Sequence, residues 1–348
     1  MNTLDLKIVN ARRPYRKRLL NNKALAGLML LLSLSGCMPM SYPPGAKTNA
    51  AQLGEDAFLT EDGASLPLRR WLPDSEPNAV IIALHGFNDY SHFFDLPGHY
   101  FSQMGIACFA YDQRGFGAAP LRGLWAGSDA YALDLKELTR LLKQRYPSQP
   151  IYLLGESMGG AIVITAMQQV DMPDVSGIIL AAPALWARST MPWYQTSLLW
   201  TLAHSMPWLT LTGSGLKIMP SDNIDMLRAM GRDPMVIKAT RVETVYGLTD
   251  LMDTAFDSAS SLRAHTLMLY GEKDEVIPKE PTYAFLQQML TSDTAEKTVA
   301  IYQNGYHMLL RDLQAPTAWQ DIVAWIKNAP KHLPSGADYR ARQLLTNG

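Results

Sequence analysis

Six short apolar runs alternate with helical patterns along this 348-residue chain, and that alternation leaves few folds open. The runs are Ala79–Leu84, Ile106–Tyr111, Ile151–Leu154, Gly177–Ala181, Thr266–Tyr270 and Thr298–Tyr302. Each is apolar along nearly its whole length, not at every second residue, as strands buried on both faces are. Between them, helical patterns fall near His99–Met104, Ala130–Arg145, Met158–Val170, Pro281–Met289 and Ala315–Lys327. Strands of this kind covered by helices describe a mostly parallel sheet with helices on both faces. Two more strands are expected ahead of them, near Asp56–Thr60 and Ser65–Trp71, parted by the turn Glu61-Asp62-Gly63.

One interval breaks the alternation. From about Leu185 to Leu262 there is no convincing strand, but there are four tryptophans, many methionines and several helical stretches. It is expected to be a helical lid, residues 185–262, over the carboxyl edge of the sheet, where open α/β folds bind ligands. Residues 55–184 and 263–328 then form the two parts of one core, and 329–348 a polar tail.

The front end is of a different character. Residues before Cys37 carry seven Lys or Arg and one acid, so the remaining chain is formally −7. An acidic body offers no footprint for nucleic acid. The basic stretch leads into Ala24–Leu32 and then Leu34-Ser35-Gly36-Cys37, the layout of a secretory signal over residues 1–36. Its apolar part is too short to span a bilayer, which takes about 20 residues. Leu-Ser-Gly-Cys resembles the bacterial lipobox, which implies a lipidated Cys37 as the new N-terminus. Met38, where related lipoproteins kept at the inner membrane commonly have aspartate, points towards the outer membrane, facing the periplasm. Residues 37–54, rich in Pro, Gly, Ser and Asn, are expected to be a flexible tether. With Cys37 so used, Cys108 has no disulfide partner.

Chemistry enters at Gly155-Glu156-Ser157-Met158-Gly159, between the run Ile151–Leu154 and a helical pattern. A G-x-S-x-G turn from strand to helix lifts the serine oxygen clear of the sheet edge, and its class sets the order serine, acid, histidine. His307 follows the last strand in Asn304-Gly305-Tyr306-His307-Met308 and suits the base. Asp274, in Gly271–Pro278 after the preceding strand, suits the acid, with Glu272 and Glu275 as competitors. Met158 and Phe87 are expected to offer oxyanion-hole N–H groups. His85, placed early, suits a structural hydrogen bond.

Taken with His85-Gly86-Phe87 and Tyr111–Gly117, these segments resemble the α/β-hydrolase superfamily from about Asp56 to Lys327. Within it they resemble the serine hydrolases related to monoacylglycerol lipase and bacterial lysophospholipases. The resemblance implies a structural role for Arg114, anchoring backbone near the site. Hydrolysis is expected to run through an acyl-enzyme, and with no metal cluster, P-loop or dinucleotide fingerprint in the sequence no cofactor or metal is expected. Two segments depart from the family pattern: Ala118-Ala119-Pro120, where a serine is common, and Asn88-Asp89-Tyr90-Ser91 after His-Gly-Phe. Trp186, Trp193, Trp200 and Trp208 recur every seven or eight residues, with Met226 among the methionines that follow. These large side chains either pack the lid onto the body or line an acyl channel, for which Trp193, Trp200 and Met226 are the candidates.

The expected function is hydrolysis of monoacyl-lipid esters by a monomer held at the membrane through Cys37. Two other readings stay open. An aminopeptidase or other small-ester hydrolase of the same fold would draw on the lid acids Asp222, Asp225, Glu243, Asp250 and Asp253. A non-enzymatic lipid-binding or scaffolding lipoprotein would keep the fold without the reaction.

Overall fold

The computed structural model describes residues 38–213, 215, 217–291, 295–328 and 332–346. Cys37 and the signal segment before it lie outside the described residues.

All six apolar runs are strands, and they are parallel to one another: β4 (Ala79–Leu84), β5 (Ile106–Tyr111), β6 (Ile151–Glu156), β7 (Gly177–Ala181), β10 (Thr266–Gly271) and β11 (Lys297–Tyr302). Three leading strands, β1 (Gln52–Leu53), β2 (Ala57–Leu59) and β3 (Ser65–Trp71), join antiparallel, giving the order β1-β2-β3-β5-β4-β6-β7-β10-β11. Alternate residues feed two cores. Val80, Ile82 and Leu84 face α2 (Ser128–Arg145) and α3 (Met158–Ala166), while Ile81 and Ala83 face α1 (Asp95–Gln103) and α8 (Ala315–Asn328).

The strand order reverses at β4. Its successor β5 lies on one side and β6 on the other, with Leu84 paired to Gly155. This switch sets the loop after β4 beside the turn after β6, and open α/β sheets bind ligands in such a crevice.

The segment between β7 and β10 differs from expectation in two ways. It contains α4 (Trp193–Ser205), α5 (Ile224–Arg232) and α6 (Val242–Asp257), and also a two-stranded ribbon of β8 (Thr210–Thr212) and β9 (Ala239–Arg241). Those strands are too short and Thr-rich to show an apolar pattern. Moreover α6 is no outer cover. Leu251, Met252, Ala255 and Phe256 bury in the same core as α2 and α3.

The described parts of the expected tether and of the expected tail are better tied down than composition suggested. In the expected tether, Tyr42 N–H donates to Trp125 O (2.7 Å), Gly45 N–H to Asp62 Oδ2 (3.0 Å), and Lys47 pairs with Glu61. In the expected polar tail, α9 (Ala337–Thr346) buries Ala337 and Ala341, and Arg340 forms a two-pronged pair with Glu272 (3.0 and 2.6 Å). Apolar residues spaced by four on a short charged helix are enough to dock it on an edge strand. A further helix, α7 (Lys279–Leu290), precedes β11.

Candidate active site

The turn after β6 is strained, and the strain is held by neighbours. Ser157 has φ 50° and ψ −115°, a left-handed backbone that a side chain adopts at a cost of about 1–3 kcal/mol. Its N–H donates to Ala181 O (3.0 Å), and its carbonyl accepts from Gly160, Ala161 and Ala184. A Cβ on Gly155 would run into the Gly159 backbone, and one on Gly159 into Leu84 O. The two glycines let strand, turn and helix close this tightly.

Two loops bring the partners. Gly271, ending β10, lies backbone to backbone against Gly305, after β11, with no room for a Cβ on Gly271. Lys273 N–H donates to Gly305 O (2.9 Å). Asp274 Oδ1 accepts from the Val276 and Ile277 N–H groups (2.8 and 2.9 Å), leaving Oδ2 for the His307 Nδ1–H (2.8 Å). In the neutral imidazole, with Nδ1 donating, Nε2 accepts from the Ser157 hydroxyl at 3.0 Å. Burial opposes a charge on His307, but the Asp274 carboxylate, with Glu156 and Asp312 behind it, outweighs burial and raises the imidazole to about 9. Glu272 and Glu275 are engaged elsewhere, with Arg340 and with the Met219 N–H.

The His307 loop is also fastened to the segment before α5. Asp312 accepts from Tyr306 N–H (2.8 Å) and from Ser221 Oγ (2.6 Å), and Met308 N–H donates to Pro220 O (2.9 Å). On the other flank, Gln113 N–H donates to His85 Nε2 (3.0 Å), so His85 Nδ1–H donates to Gly86 O (2.8 Å). His85 thus fixes the loop carrying Phe87, and burial lowers its basicity. Among the described residues, neither the Phe87 nor the Met158 N–H donates to a protein acceptor, and both flank Ser157. Arg114 does not reach the site. It binds Asp62 (2.7 and 2.9 Å) and Asp134 (2.7 and 2.9 Å), tying the turn before β3 to α2.

A cavity of about 690 Å³ opens over Ser157 and His307. One wall is apolar, with Leu211, Ile218, Leu227, Met230, Val236 and Met308; Asn88, Asp89, Lys238, Thr240 and Glu156 make a polar side. Lys238 spends its donors on the carbonyls of Met230, Asp233 and Val236, and Asp89 pairs with Arg311 (3.1 Å). The expected channel residues are not here. Trp193 and Trp200, 78% and 56% exposed, point outward from α4, which buries only Ala203. Met226, Leu227 and Met230 of α5 all pack against the core on the α1–α8 side, and of the three only Leu227 and Met230 also line the cavity. Helical spacing fixed which residues share a face but not which way the face turns. The acids expected in a lid also lie off the cavity lining: Asp250 and Asp253 bind Arg188, Glu243 binds Arg241, Asp225 binds Arg228, and Asp222 accepts from the Leu313 N–H.

Glu156 is the site residue sequence reasoning passed over. It sits inside the serine motif itself, a charged residue closing an apolar strand, and that mismatch was a usable signal. Among the described residues, no group of three or more His, Cys, Asp or Glu is placed to hold a metal ion. A hydroxyl held this way, with an imidazole to take its proton and a carboxylate behind the imidazole, can attack an acyl carbon.

Residues 75–314 match the family described as serine aminopeptidase, S33. The chain is 23% identical over 288 residues to a monoacylglycerol lipase of Mycolicibacterium smegmatis, covering 78% of this chain and 96% of that one. It is 26% identical over 281 residues to the monoglyceride lipase of Mus musculus, covering 78% and 89%. In fold it is similar to a soluble variant of monoglyceride lipase from Saccharomyces cerevisiae, with a TM-score of 0.66 and 19% identity over 83% of this chain and 98% of that one. The chain belongs to the serine aminopeptidase S33 family and is a monoacylglycerol lipase-like serine ester hydrolase with the α/β-hydrolase fold.

Proposed function

We propose that this enzyme cleaves the carboxylic ester of monoacyl lipids, of the monoacylglycerol or lysophospholipid type. The observation that carries the reading is the unbroken line Asp274–His307–Ser157 (2.8 and 3.0 Å) beneath a largely apolar cavity. At about 690 Å³ the cavity is within the range of about 300–1,000 Å³ usual for sites that enclose one small molecule. One acyl chain and a small polar head match its two-sided lining.

In this reading Ser157 Oγ attacks the ester carbonyl as His307 Nε2 takes its proton. Asp274 holds the imidazole in the tautomer with Nδ1 protonated and stabilises the imidazolium. The Phe87 and Met158 N–H groups face the oxygen as it gains charge, a contribution worth about 10²–10³ in rate per donor. His307 returns the proton to the leaving alcohol, and water clears the acyl-enzyme by the same route. The segment between β7 and β10 serves as lid, with α5 and the ribbon closing over the acyl chain. A lipidated Cys37 would hold the monomeric enzyme to the outer membrane on its periplasmic side, within reach of lipid substrates. Each buried methylene of the anchor adds about 0.8 kcal/mol to that attachment.

The test is lipid profiling of hydrolysis by the purified protein, with fluorophosphonate labelling of wild type and Ser157→Ala. We expect label on wild type alone and release of fatty acid from monoacyl lipids. Faster cleavage of aminoacyl anilides than of acyl esters would make it a peptidase. Absence of both labelling and turnover would make it a binding lipoprotein.

A further inference from the structure

Glu156 is buried beside the reacting groups, and the Asp274–His307–Ser157 line does not use it. Its Oε1 lies 3.9 Å from His307 Nε2, the atom that receives the serine proton. Among the described residues no donor hydrogen-bonds to either of its carboxylate oxygens, and the side chain lines the cavity. The other oxygen occupies the space where Gly86 would carry a Cβ, so the loop after β4 closes over it. The charged groups facing it come from three loops: Asp89 after β4, Asp274 after β10, and His307 and Arg311 after β11.

We propose that Glu156 acts through His307 as a second acidic partner, its carboxylate stabilising the imidazolium that forms when Ser157 gives up its proton. This rests on the serine-esterase reading above. The proton passes from Ser157 Oγ to Nε2, and the electron pair goes to the acyl carbon. Glu156 exchanges no proton in the step and acts only by its charge. Asp274 supplies the same sign from the Nδ1 side, so the imidazolium is held between two carboxylates. Burial pushes the Glu156 carboxyl up to about 7, against His307 and Arg311 and with Asp89 and Asp274. Its charge, and with it the assistance, is therefore present on the alkaline side of neutrality and fades below it.

The experiment is the pH profile of kcat/KM for a soluble short-chain ester, for wild type, Glu156→Gln, Glu156→Asp and Ser157→Ala. Removing a charge this close should lower the basicity of His307 by about one unit, moving the acid limb of Glu156→Gln to lower pH. The alkaline plateau should fall roughly tenfold, the rate equivalent of one unit. The two profiles then converge below neutrality and separate above it. Glu156→Asp keeps a charge at greater distance and should shift the limb the same way by less. If Glu156→Gln does not fold, as judged by circular dichroism, that smaller shift decides the question. A profile lowered evenly at every pH, or one unchanged, would overturn the proposal and leave Glu156 a packing residue. Activity surviving in Ser157→Ala, or absent from wild type, would instead sink the esterase reading.

Discussion

The rim of the sheet and the segment that covers it are built on opposite terms. At the rim Ser157, Asp274 and His307 each sit on a loop whose backbone is pinned: Ser157 by four backbone hydrogen bonds, Asp274 by two N–H groups to one oxygen, His307 by Asp312 and Pro220. In the cover, α4 buries one residue and displays Trp193, Tyr194, Leu198 and Trp200. Preorganisation matters where charge develops, because groups already aimed need no rearrangement during reaction. Selection of an acyl chain needs only apolar wall and some give. Under the proposed function, chemistry belongs to the rim and chain selection to the cover, and mutations can break that division.

The largest effect is expected at the rim. Asp274→Asn keeps the shape of the acid but favours the wrong imidazole tautomer, so kcat should fall by about 10⁴ with stability nearly unchanged. Steady-state rates and thermal melting on one preparation check this. A small loss would mean that Glu156 can take over from Asp274. Next comes Arg114→Met, far from Ser157. Removing one partner strands Asp62 and Asp134, which should cost about 3–5 kcal/mol in urea unfolding. The activity of the protein still folded should hold. Should kcat fall as well, the rim would depend on the turn before β3, and the division drawn here would be too sharp.

The acid limb comes third. The base must be neutral, and His307 is raised to about 9 by Asp274. Activity is therefore expected to rise with pH through that value and to fall about tenfold per unit on the acid side. An acid limb lying below pH 6 would show that burial outweighs the carboxylates at this imidazole.

The same contrast governs what sequence could disclose. A parallel strand buried on both faces writes its own apolar run, so β4, β5, β7, β10 and β11 were readable to within a residue. β6 was read as ending at Leu154, where the serine motif opens with Gly155, although the strand runs on to Glu156. The serine motif gave its own position, and chain order picked His307 and Asp274 from many histidines and acids. The cover carries no such mark. Trp193 and Trp200 have the spacing of a packed stripe but face outward, and α6 looked like cover but is core. Which way an amphipathic helix turns is decided by partners distant in sequence, and a spacing rule holds no information about them. Docking of α9 depends likewise on Glu272, far back along the chain.

The smallest effect sharpens the division from the cover's side. Met230 lines the cavity, whereas Trp200 stands at the surface stacked on His204. Met230→Ala removes contact area only a long acyl chain would use. It should lower kcat/KM for long-chain esters about tenfold relative to short ones, the order of effect a methylene or two has in an apolar pocket. Trp200→Ala should leave that ratio alone and change stability by no more than about 0.5 kcal/mol, as surface substitutions do. If instead Trp200→Ala altered chain-length preference and Met230→Ala did not, α4 would have to swing inward during turnover. The cover would then be a moving part, and the outward tryptophans would be the open half of its cycle.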